Sequence, residues 1–225
     1  MDFLFLSNTL LFRGSSPAEI QTMLTCLNAE TKHFPRGSTI YHTGDVISTL
    51  GLVLSGSVSI ENHDAWGNRS ILDHAQPGQV FAETYACLPG EPLMISAVAA
   101  EPCEILFLDV GRMLRVCSNA CEFHSKLIRN LLSIASRKNL NLSRRIFHTG
   151  SKSIRGRLLS YLSFQAAQHG SREFEIPFNR QQLADYLSVD RSALSNELGK
   201  MQRDGLLTVD RSRFTLTGID PRDGF

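Results

Sequence analysis

The fold is most strongly restricted by residues 179–205, NRQQLADYLSVDRSALSNELGKMQRDG. Asn179 can cap a short helix over Arg180–Leu187, and Asp190 can cap a second helix over Arg191–Asp204. Both helices carry leucines at the spacing of one buried face, and small Ala184 lets the two helices approach closely. Two short capped helices joined by a tight turn predict a helix-turn-helix.

The residues that follow extend this motif. Leu206–Asp210 and Arg213–Leu216 predict a hairpin, which makes the helix-turn-helix winged. The second helix presents donors near its N-terminus that can read bases in a major groove: Arg191, Ser192, Ser195 and Asn196. Basic side chains around them can contact phosphates: Arg180, Lys200, Arg203, Arg211 and Arg213. Double-stranded DNA is therefore the predicted partner, and a protein-binding winged helix is the alternative.

A long helix is predicted upstream, from a cap at Ser118 or Asn119 to about Phe147, because this stretch lacks proline and glycine. Its apolar residues recur at helical spacing: Phe123, Leu127, Ile128, Leu131, Ile134, Ala135 and Leu142. A helix of about 29 residues spans roughly 44 Å, which is long for a small neighbouring domain to cover. We expect these residues to form a homodimer interface, and the alternative is packing along the chain's own first domain.

A hinge is predicted at His148–Ser151, where Gly150 ends the long helix and Ser151 can cap the next one. The second amphipathic helix carries Ile154, Leu158 and Leu162 on one face.

The first half of the sequence shows one short helix followed by short strand-like runs. Ser16–Glu19 forms a capping box with proline at the first helical position. Turn signals then recur every 7 to 12 residues from Phe34 onward. The runs between them predict short strands at Thr39–His42, Gly51–Leu54, Val58–Glu61, Ser70–His74, Ile95–Ala99 and Glu104–Leu108. Such regular short strands are typical of a sandwich or barrel.

Composition narrows the function class. The 225 residues are 42% hydrophobic with a net charge of +1, which excludes a disordered chain. Residues 1–115 hold 6 basic and 12 acidic residues, whereas residues 116–149 hold 6 and 1 and residues 150–225 hold 11 and 9. A polyanion therefore prefers the second half. The sequence lacks a long apolar run and a secretory signal, and its five cysteines form no disulfide framework, so we expect a cytoplasmic protein without membrane contact.

The order of these parts resembles the CRP/FNR family of bacterial transcription regulators. The resemblance covers nearly the whole chain and is most specific at Gln181–Leu187 and Arg191–Ser195. It implies an α+β protein with a β-roll sensor domain (1–117), a long dimerisation helix (118–148) and a winged helix-turn-helix (149–225). It also implies a homodimer on roughly palindromic DNA, an effector in the β-roll and a contact with RNA polymerase.

Departures from the family pattern concern the effector. Cyclic-nucleotide-binding members have a Gly-Glu pair and an arginine before Ser-Ala, whereas this chain has Ala82-Glu83 and Ile95 before Ser96. A buried cyclic phosphate without a cationic partner is costly, so we expect no response to cyclic AMP. Glu83 and Ser96 remain the candidate effector-pocket residues, and the effector itself is not identified by the sequence. Familiar members also carry Glu and Arg at the positions of Ser192 and Asn196, so we expect a different DNA half-site.

Cysteine and histidine positions leave an alternative open. The N-terminal cysteine cluster of oxygen-sensing members is absent, since Cys26 alone precedes Cys87. Cys117, Cys121 and His124 fall at helical spacing and can form a redox pair or bind a metal, although an inert structural role is favoured, and no metal site is predicted. A haem or redox sensor of the same fold is the first alternative, and a metabolite-binding module without DNA function is the second. No nucleophile–base pair or phosphate loop predicts an enzyme.

Overall fold

The computed structural model describes residues 1–63, 66, 69–114 and 122–217. The chain forms two compact units, Met1–Arg137 and Lys138–Phe225. Two β-sheets lie in the first unit, and helices with a small sheet lie in the second. The predicted α+β order of β domain, long helix and winged helix is therefore confirmed. The domain limits at residues 117 and 148 stay a prediction.

Helices occur in both units. Within the described ranges they are α1 (Phe3–Ser7), α2 (Pro17–Cys26), α3 (Glu83–Ala86), α4 (Val110–Leu114), α5 (Glu122–Thr149), α6 (Ile154–His169), α7 (Arg180–Leu187) and α8 (Arg191–Arg203). The predicted capping box of α2 is confirmed, because the Glu19 carboxylate accepts from the Ser16 N–H at 2.6 Å and the Ser16 hydroxyl accepts from the Glu19 N–H at 3.3 Å. No described helix is both long and apolar enough to cross a membrane.

All strand pairs are antiparallel. The strands are β1 (Glu30–Phe34), β2 (Thr39–Tyr41), β3 (Thr49–Ser55), β4 (Val58–His63), β5 (Arg69–Ala75), β6 (Val80–Phe81), β7 (Ser96–Ala99), β8 (Cys103–Asp109), β9 (Glu173–Glu175), β10 (Leu207–Asp210) and β11 (Arg213–Leu216). The first unit contains two four-stranded sheets, ordered β1-β8-β3-β6 and β2-β7-β4-β5, and the second contains the three-stranded sheet β10-β11-β9.

Strand β8 explains how the first unit encloses its core. Leu106 and Leu108 point to one face and pack with the helices, whereas Ile105 and Phe107 point to the other face and pack with the second sheet. The alternation follows from the two-residue period of a strand. Because both faces are covered, the strand is apolar at every one of these positions.

The N-terminal half of α5 packs onto the first unit. Leu127, Leu131 and Ile134 are buried in the core that also holds α1 and α2 residues. The Asn130 amide adds two hydrogen bonds of 2.9 Å, to the carbonyls of Leu11 and Arg13.

This packing differs from the expectation that these three side chains face a second chain. They share this core with α1, α2 and strands of the first sheet, and α1 was not predicted. Packing along the chain's own domain, the alternative left open by the sequence, therefore describes this half of α5. The predicted cap at Ser118 or Asn119 lies outside the described residues, as does the side chain of Phe123.

The second unit is built on α6. Its N-cap is Ser153, whose hydroxyl accepts from the Gly156 N–H at 3.0 Å, so the expectation that Ser151 caps this helix is wrong. Leu158, Tyr161 and Leu162 face a core shared with α7, α8 and the small sheet. Gly170 ends α6 in a left-handed conformation.

Candidate nucleic-acid interface and effector site

The helix-turn-helix forms as its caps predict. The Asn179 side chain accepts from the Gln182 N–H and the Gln182 side chain accepts from the Asn179 N–H, both at 2.9 Å, which fixes the start of α7. The Asp190 carboxylate accepts from the Ala193 N–H at 2.9 Å and fixes the start of α8. Both predicted caps are confirmed, and α8 ends at Arg203 with Asp204 as its C-cap.

Helix α8 has one buried and one exposed face. Leu194, Leu198 and Met201 are buried against the rest of the unit. The four predicted base-reading side chains are all exposed on the N-terminal half of the helix: Arg191, Ser192, Ser195 and Asn196. Ser192 and Asn196 lie one turn apart on the face opposite the buried leucines. The structure thus brings these side chains together on one exposed surface, where the Ser195 hydroxyl donates to the Arg191 carbonyl at 3.0 Å. Their contact with bases stays a prediction.

The predicted phosphate-contacting residues surround this face unevenly. Arg203 and Arg211 are exposed, and Arg211 lies at the tip of the β10–β11 turn. Lys200 lies 3.7 Å from the Glu197 carboxylate, and Arg213 lies 3.7 Å from the Glu173 carboxylate. Such exposed pairs are weak and leave the cations available to a phosphate.

Arg180 is different, because it is half-buried with its guanidinium 5.4 Å from the centre of the Phe214 ring. Burial lowers the pKa of Arg180. Within the described part of the chain Arg180 has no carboxylate partner. A partly desolvated cation without a paired carboxylate gains from an anion, so an anionic ligand would be favourable at this position.

Arg180 and Arg211 line the same cleft of about 960 Å³. The C-terminal end of α6, the start of α7 and the β10–β11 turn form its walls, with amide side chains from Gln165, Gln168 and Gln182. The sequence did not predict this cleft, because α6 and the turn are far apart in the chain. It places two of the predicted phosphate-contacting residues on one concave surface.

A partly exposed ion-pair network, which local sequence patterns do not reveal, connects α6 to α8. The Arg155 guanidinium donates from Nε to Glu197 at 2.6 Å and pairs through Nη1 with Asp204 at 2.7 Å. The hydrogen bond from Arg155 lowers the pKa of Glu197. One side chain of α6 therefore restrains both the middle and the end of α8.

Both candidate effector-pocket residues are buried in the first unit. Glu83 begins α3, directly after Ala82, which has a φ of 60°. That left-handed conformation favours glycine. Ser96 begins β7, and its hydroxyl oxygen lies 3.1 Å from the Thr43 N–H nitrogen and 3.0 Å from the Thr43 hydroxyl. Glu83 follows β6 in one sheet, whereas Ser96 belongs to the other.

A second buried carboxylate, Glu61, was not predicted. Glu61 lies opposite Ser96 in the β4–β7 pairing and is buried as deeply as Glu83. The pairing of β4 with β5 shifts register between Ile60 and Glu61. Ser59, two residues earlier on the same face of β4, is also buried, so both faces of this strand are covered. The strand sequence VSIENH is mostly polar, so it contains no local signal that Glu61 is buried.

An apolar stripe runs along the exposed side of α5. Its positions are separated alternately by four and three residues: Ile128, Leu132, Ala135, Asn139, Leu142 and Ile146. Leu132, Leu142 and Ile146 are 65%, 60% and 71% exposed, and Ile128 and Ala135 are half-buried. This spacing is that of a two-helix seam. Among the predicted interface residues whose side chains the structure describes, Leu142 is the exposed one on this stripe.

The predicted hinge at His148–Ser151 is partly ordered by packing. α5 continues to Thr149, and His148 is 1% exposed. Its ring contacts the rings of Tyr161, Phe164 and Tyr186, with centroids 5.2 to 6.1 Å apart. The end of α5 is thus fixed to α6 and α7, and the boundary between the compact units lies upstream, after Arg137.

The possible redox or metal residues are described only in part. Cys117 and Cys121 lie outside the described residues. His124 is buried, and its Nδ1 atom has no hydrogen-bond partner in the described part of the chain. Among the described side chains, no cluster of three or more His, Cys, Asp or Glu is arranged to hold a metal ion.

Two protein families match successive parts of the chain. Residues 31–120 match the family described as cyclic nucleotide-binding domain, and residues 156–221 match the family described as Crp-like helix-turn-helix domain.

Curated relatives and solved structures match over most of their length. The chain is 30% identical over 210 residues to the cyclic AMP receptor protein of Thermus thermophilus, covering 88% of each chain. It is 22% identical to a CRP-like cAMP-activated global transcriptional regulator of Mycobacterium tuberculosis, covering 89% of this chain and 88% of the relative. Similar folds include CprK complexed with OCPA (TM-score 0.63, 15% identity, 88% and 90% coverage) and the Thermus thermophilus catabolite activator protein (TM-score 0.52, 24% identity, 92% and 93% coverage).

Proposed function

We propose, from the premise that the chain belongs to the CRP/FNR family of transcription regulators, that it is a cytoplasmic, non-enzymatic homodimer that binds roughly palindromic DNA. An effector in the β-roll would bias the DNA-binding unit, and a surface contact with RNA polymerase would follow the family pattern. The observation that carries the proposal is the exposed group of four polar side chains on the N-terminal half of α8. This helix is the second of a helix-turn-helix in which both helices have side-chain N-caps.

The surroundings of α8 support double-stranded DNA as the ligand. The exposed face of α8 combines polar side chains with flanking cations. In major-groove recognition, such polar side chains contact base edges and the cations contact phosphates. The cleft that holds Arg180 and Arg211 adds a concave surface in the same unit, with one carboxylate, Glu175, in its lining.

Dimerisation is supported by the exposed stripe on α5. Leu142 and Ile146 leave a large apolar surface in water, which a second α5 packed side by side would cover. Asn139 in the middle of the stripe would fix the register and favour two chains, as polar residues at such positions do. The predicted interface residues Leu127, Leu131 and Ile134 have no part in this proposal, because they are buried within one chain.

The effector is proposed to differ from cyclic AMP. The position before Ser96 is Ile95, and the nearby buried polar groups include the carboxylates of Glu61 and Glu83. An anionic cyclic phosphate placed among carboxylates without an arginine would lose hydration without compensation. Isothermal titration calorimetry should show no micromolar binding of cyclic AMP, and a saturable micromolar heat would refute this part of the proposal.

One experiment tests the central proposal. Purified protein is incubated with random double-stranded oligonucleotides, bound DNA is sequenced over successive rounds, and native mass spectrometry gives the mass of the protein and of its complex. We expect a dimer enriched on inverted repeats with half-sites about one helical turn apart, roughly 34 Å. A monomer, or DNA enriched without any common sequence, would contradict the proposal. Extra mass on the free dimer would identify the retained effector.

A further inference from the structure

Four consecutive backbone carbonyls at the end of α7 are held by two arginines. Arg145, near the end of α5, donates from Nε to the Tyr186 carbonyl at 3.2 Å and from Nη2 to the Asp185 carbonyl at 3.0 Å. Arg157, in the first turn of α6, donates from Nη1 to the carbonyls of Leu187 and Ser188, both at 2.9 Å.

This arrangement answers a general need of helices. The last carbonyls of a helix have no partner within the helix, and cations are favourable near that end. The Asp185 carbonyl also accepts from the Ser188 N–H at 3.2 Å, and two guanidinium groups from two other helices add donors for all four carbonyls. Both groups are tied on their own side as well, since Arg157 Nε donates to the Ser151 carbonyl at 2.8 Å and Arg145 lies over the Tyr186 ring at 5.9 Å.

The carbonyls concerned belong to the turn that leads into α8. Ser188 has a φ of 54°, and Asp190 caps α8 two residues later. The direction in which α8 leaves the turn therefore depends on how this short stretch is held. The hydrogen bonds of Arg145 connect that stretch directly to α5.

We propose that Arg145 and Arg157 form an arginine clamp, which fixes the recognition helix α8 to the last turns of α5 and transmits movements of α5 to the DNA-binding face. Both are positioning residues with no DNA contact of their own. Arg145 and Ile146 are neighbours in sequence, so they point about 100° apart around α5. The same two turns thus carry the exposed stripe on one side and the clamp on another.

Arginine is required by this geometry. Its planar fork reaches two acceptors at once, whereas a lysine ammonium behaves as a point charge on a flexible chain. Arg145→Lys should therefore keep the charge and part of the function, and Arg145→Gln should lose both. Arg137→Gln is a matched control, because it removes one exposed positive charge from the same helix without touching the carbonyls of α7.

The test, which rests on the proposed DNA-binding function, measures the affinity for a selected DNA site and for a scrambled duplex at one salt concentration. For Arg145→Gln we expect the ratio of specific to non-specific affinity to fall roughly tenfold or more, which corresponds to losing one charge-assisted hydrogen bond. Arg145→Lys should fall between this variant and the wild type. Arg137→Gln should weaken both affinities alike and keep the ratio.

A double-substitution experiment separates positioning from simple loss of stability. If the clamp aligns α8, Asn196→Ala should cost less specific affinity in the Arg145→Gln protein than in the wild type, while circular dichroism shows both folded at the assay temperature. Equal costs in the two backgrounds, or an unchanged affinity ratio in Arg145→Gln, would overturn the clamp alone. Should Arg145→Gln unfold, the same comparison in Arg145→Lys decides. A wild-type protein without any sequence preference would instead overturn the proposed function together with the clamp.

Discussion

The Nδ1 atom of His148 lies 3.2 Å from the hydroxyl oxygen of Ser160, which joins the end of α5 to α6. The other ring nitrogen, Nε2, is buried and has no hydrogen-bond partner among the described residues. The charged groups around the ring are cationic: Arg144 stacks on Phe164 at 5.2 Å, and Arg145 lies over Tyr186. Burial and the Arg144 charge lower the pKa of His148.

This environment predicts an acid-sensitive second unit. The unfolded chain takes up a proton on His148 near pH 6.5, whereas the folded chain does so only at a lower pH. The neutral, buried His148 ring therefore contributes fully to the free energy of unfolding above pH 6.5. This contribution is lost as the pH falls through the folded-state pKa. Denaturant unfolding of the wild type between pH 8 and pH 5 should show this fall, and His148→Gln should reduce it. His169→Gln is the control, because His169 is exposed. The same pH dependence in His148→Gln and the wild type would refute the prediction.

The turn of the helix-turn-helix predicts a stabilising substitution. Ser188 adopts the left-handed conformation, φ 54°, which a side chain disfavours and glycine tolerates. Ser188→Gly should raise the free energy of unfolding by about 0.5–1 kcal/mol, after the greater flexibility of the unfolded glycine is allowed for. Ser195→Gly, in the middle of α8, should lower it by a similar amount. Both values follow from urea unfolding curves, and a destabilised Ser188→Gly protein would show that the serine side chain has another role.

Two exposed residues of α8 should affect DNA binding differently. Asn196→Ala should cost about 1–3 kcal/mol on the selected site and relax the preference at one base pair. Lys200→Ala should weaken binding to all sequences alike and reduce the slope of affinity against salt by about one. Fluorescence anisotropy on a panel of single-base variants at several salt concentrations distinguishes them. The assignment of Asn196 to a base fails if both variants lose affinity uniformly.

The apolar stripe on α5 predicts the sensitivity of the dimer. Leu142→Asp places a charge on the proposed seam twice per dimer, so the dissociation constant of the dimer should rise at least tenfold, to roughly the extent that burying a leucine contributes. Leu140→Asp is the matched control, because Leu140 is 50% exposed but points away from the stripe. Sedimentation equilibrium measures both. A dimer that tolerates Leu142→Asp as well as Leu140→Asp would place the interface elsewhere.

Local sequence signals predicted the DNA-binding unit well. Asn179 and Asp190 cap their helices by accepting from an amide three residues later in the chain. Such a cap depends on local sequence only, so it can be predicted without knowledge of distant contacts. Six of the eight strands described in the first unit were likewise predicted from turn signals, whereas β1 and the two-residue β6 were not predicted. The small strand β9 was missed, since three residues are too few to display an alternation.

Distant contacts explain the errors. The spacing of Leu127, Leu131 and Ile134 indicates a buried face of α5 but not the surface that covers it. Helix α1, which is too short to be predicted, contributes to the core that contains these residues. The burial of Glu61 depends on how distant segments cover β4, which the mostly polar sequence of this strand does not indicate. The arginine clamp joins residues about 30 and 40 positions apart, which no local pattern reveals.

The attachment of Arg145 and His148 to the winged helix also has a practical meaning for building hybrid regulators. A chimera joined at Gly150, where the sequence suggests a linker, would separate both side chains from the carbonyls and aromatic rings they were paired with. A fusion point just before Lys138 would keep the last turns of α5 together with the winged helix-turn-helix. Sensor domains from other proteins could then be joined in front of Lys138, provided that their last helix continues α5 in the same helical register.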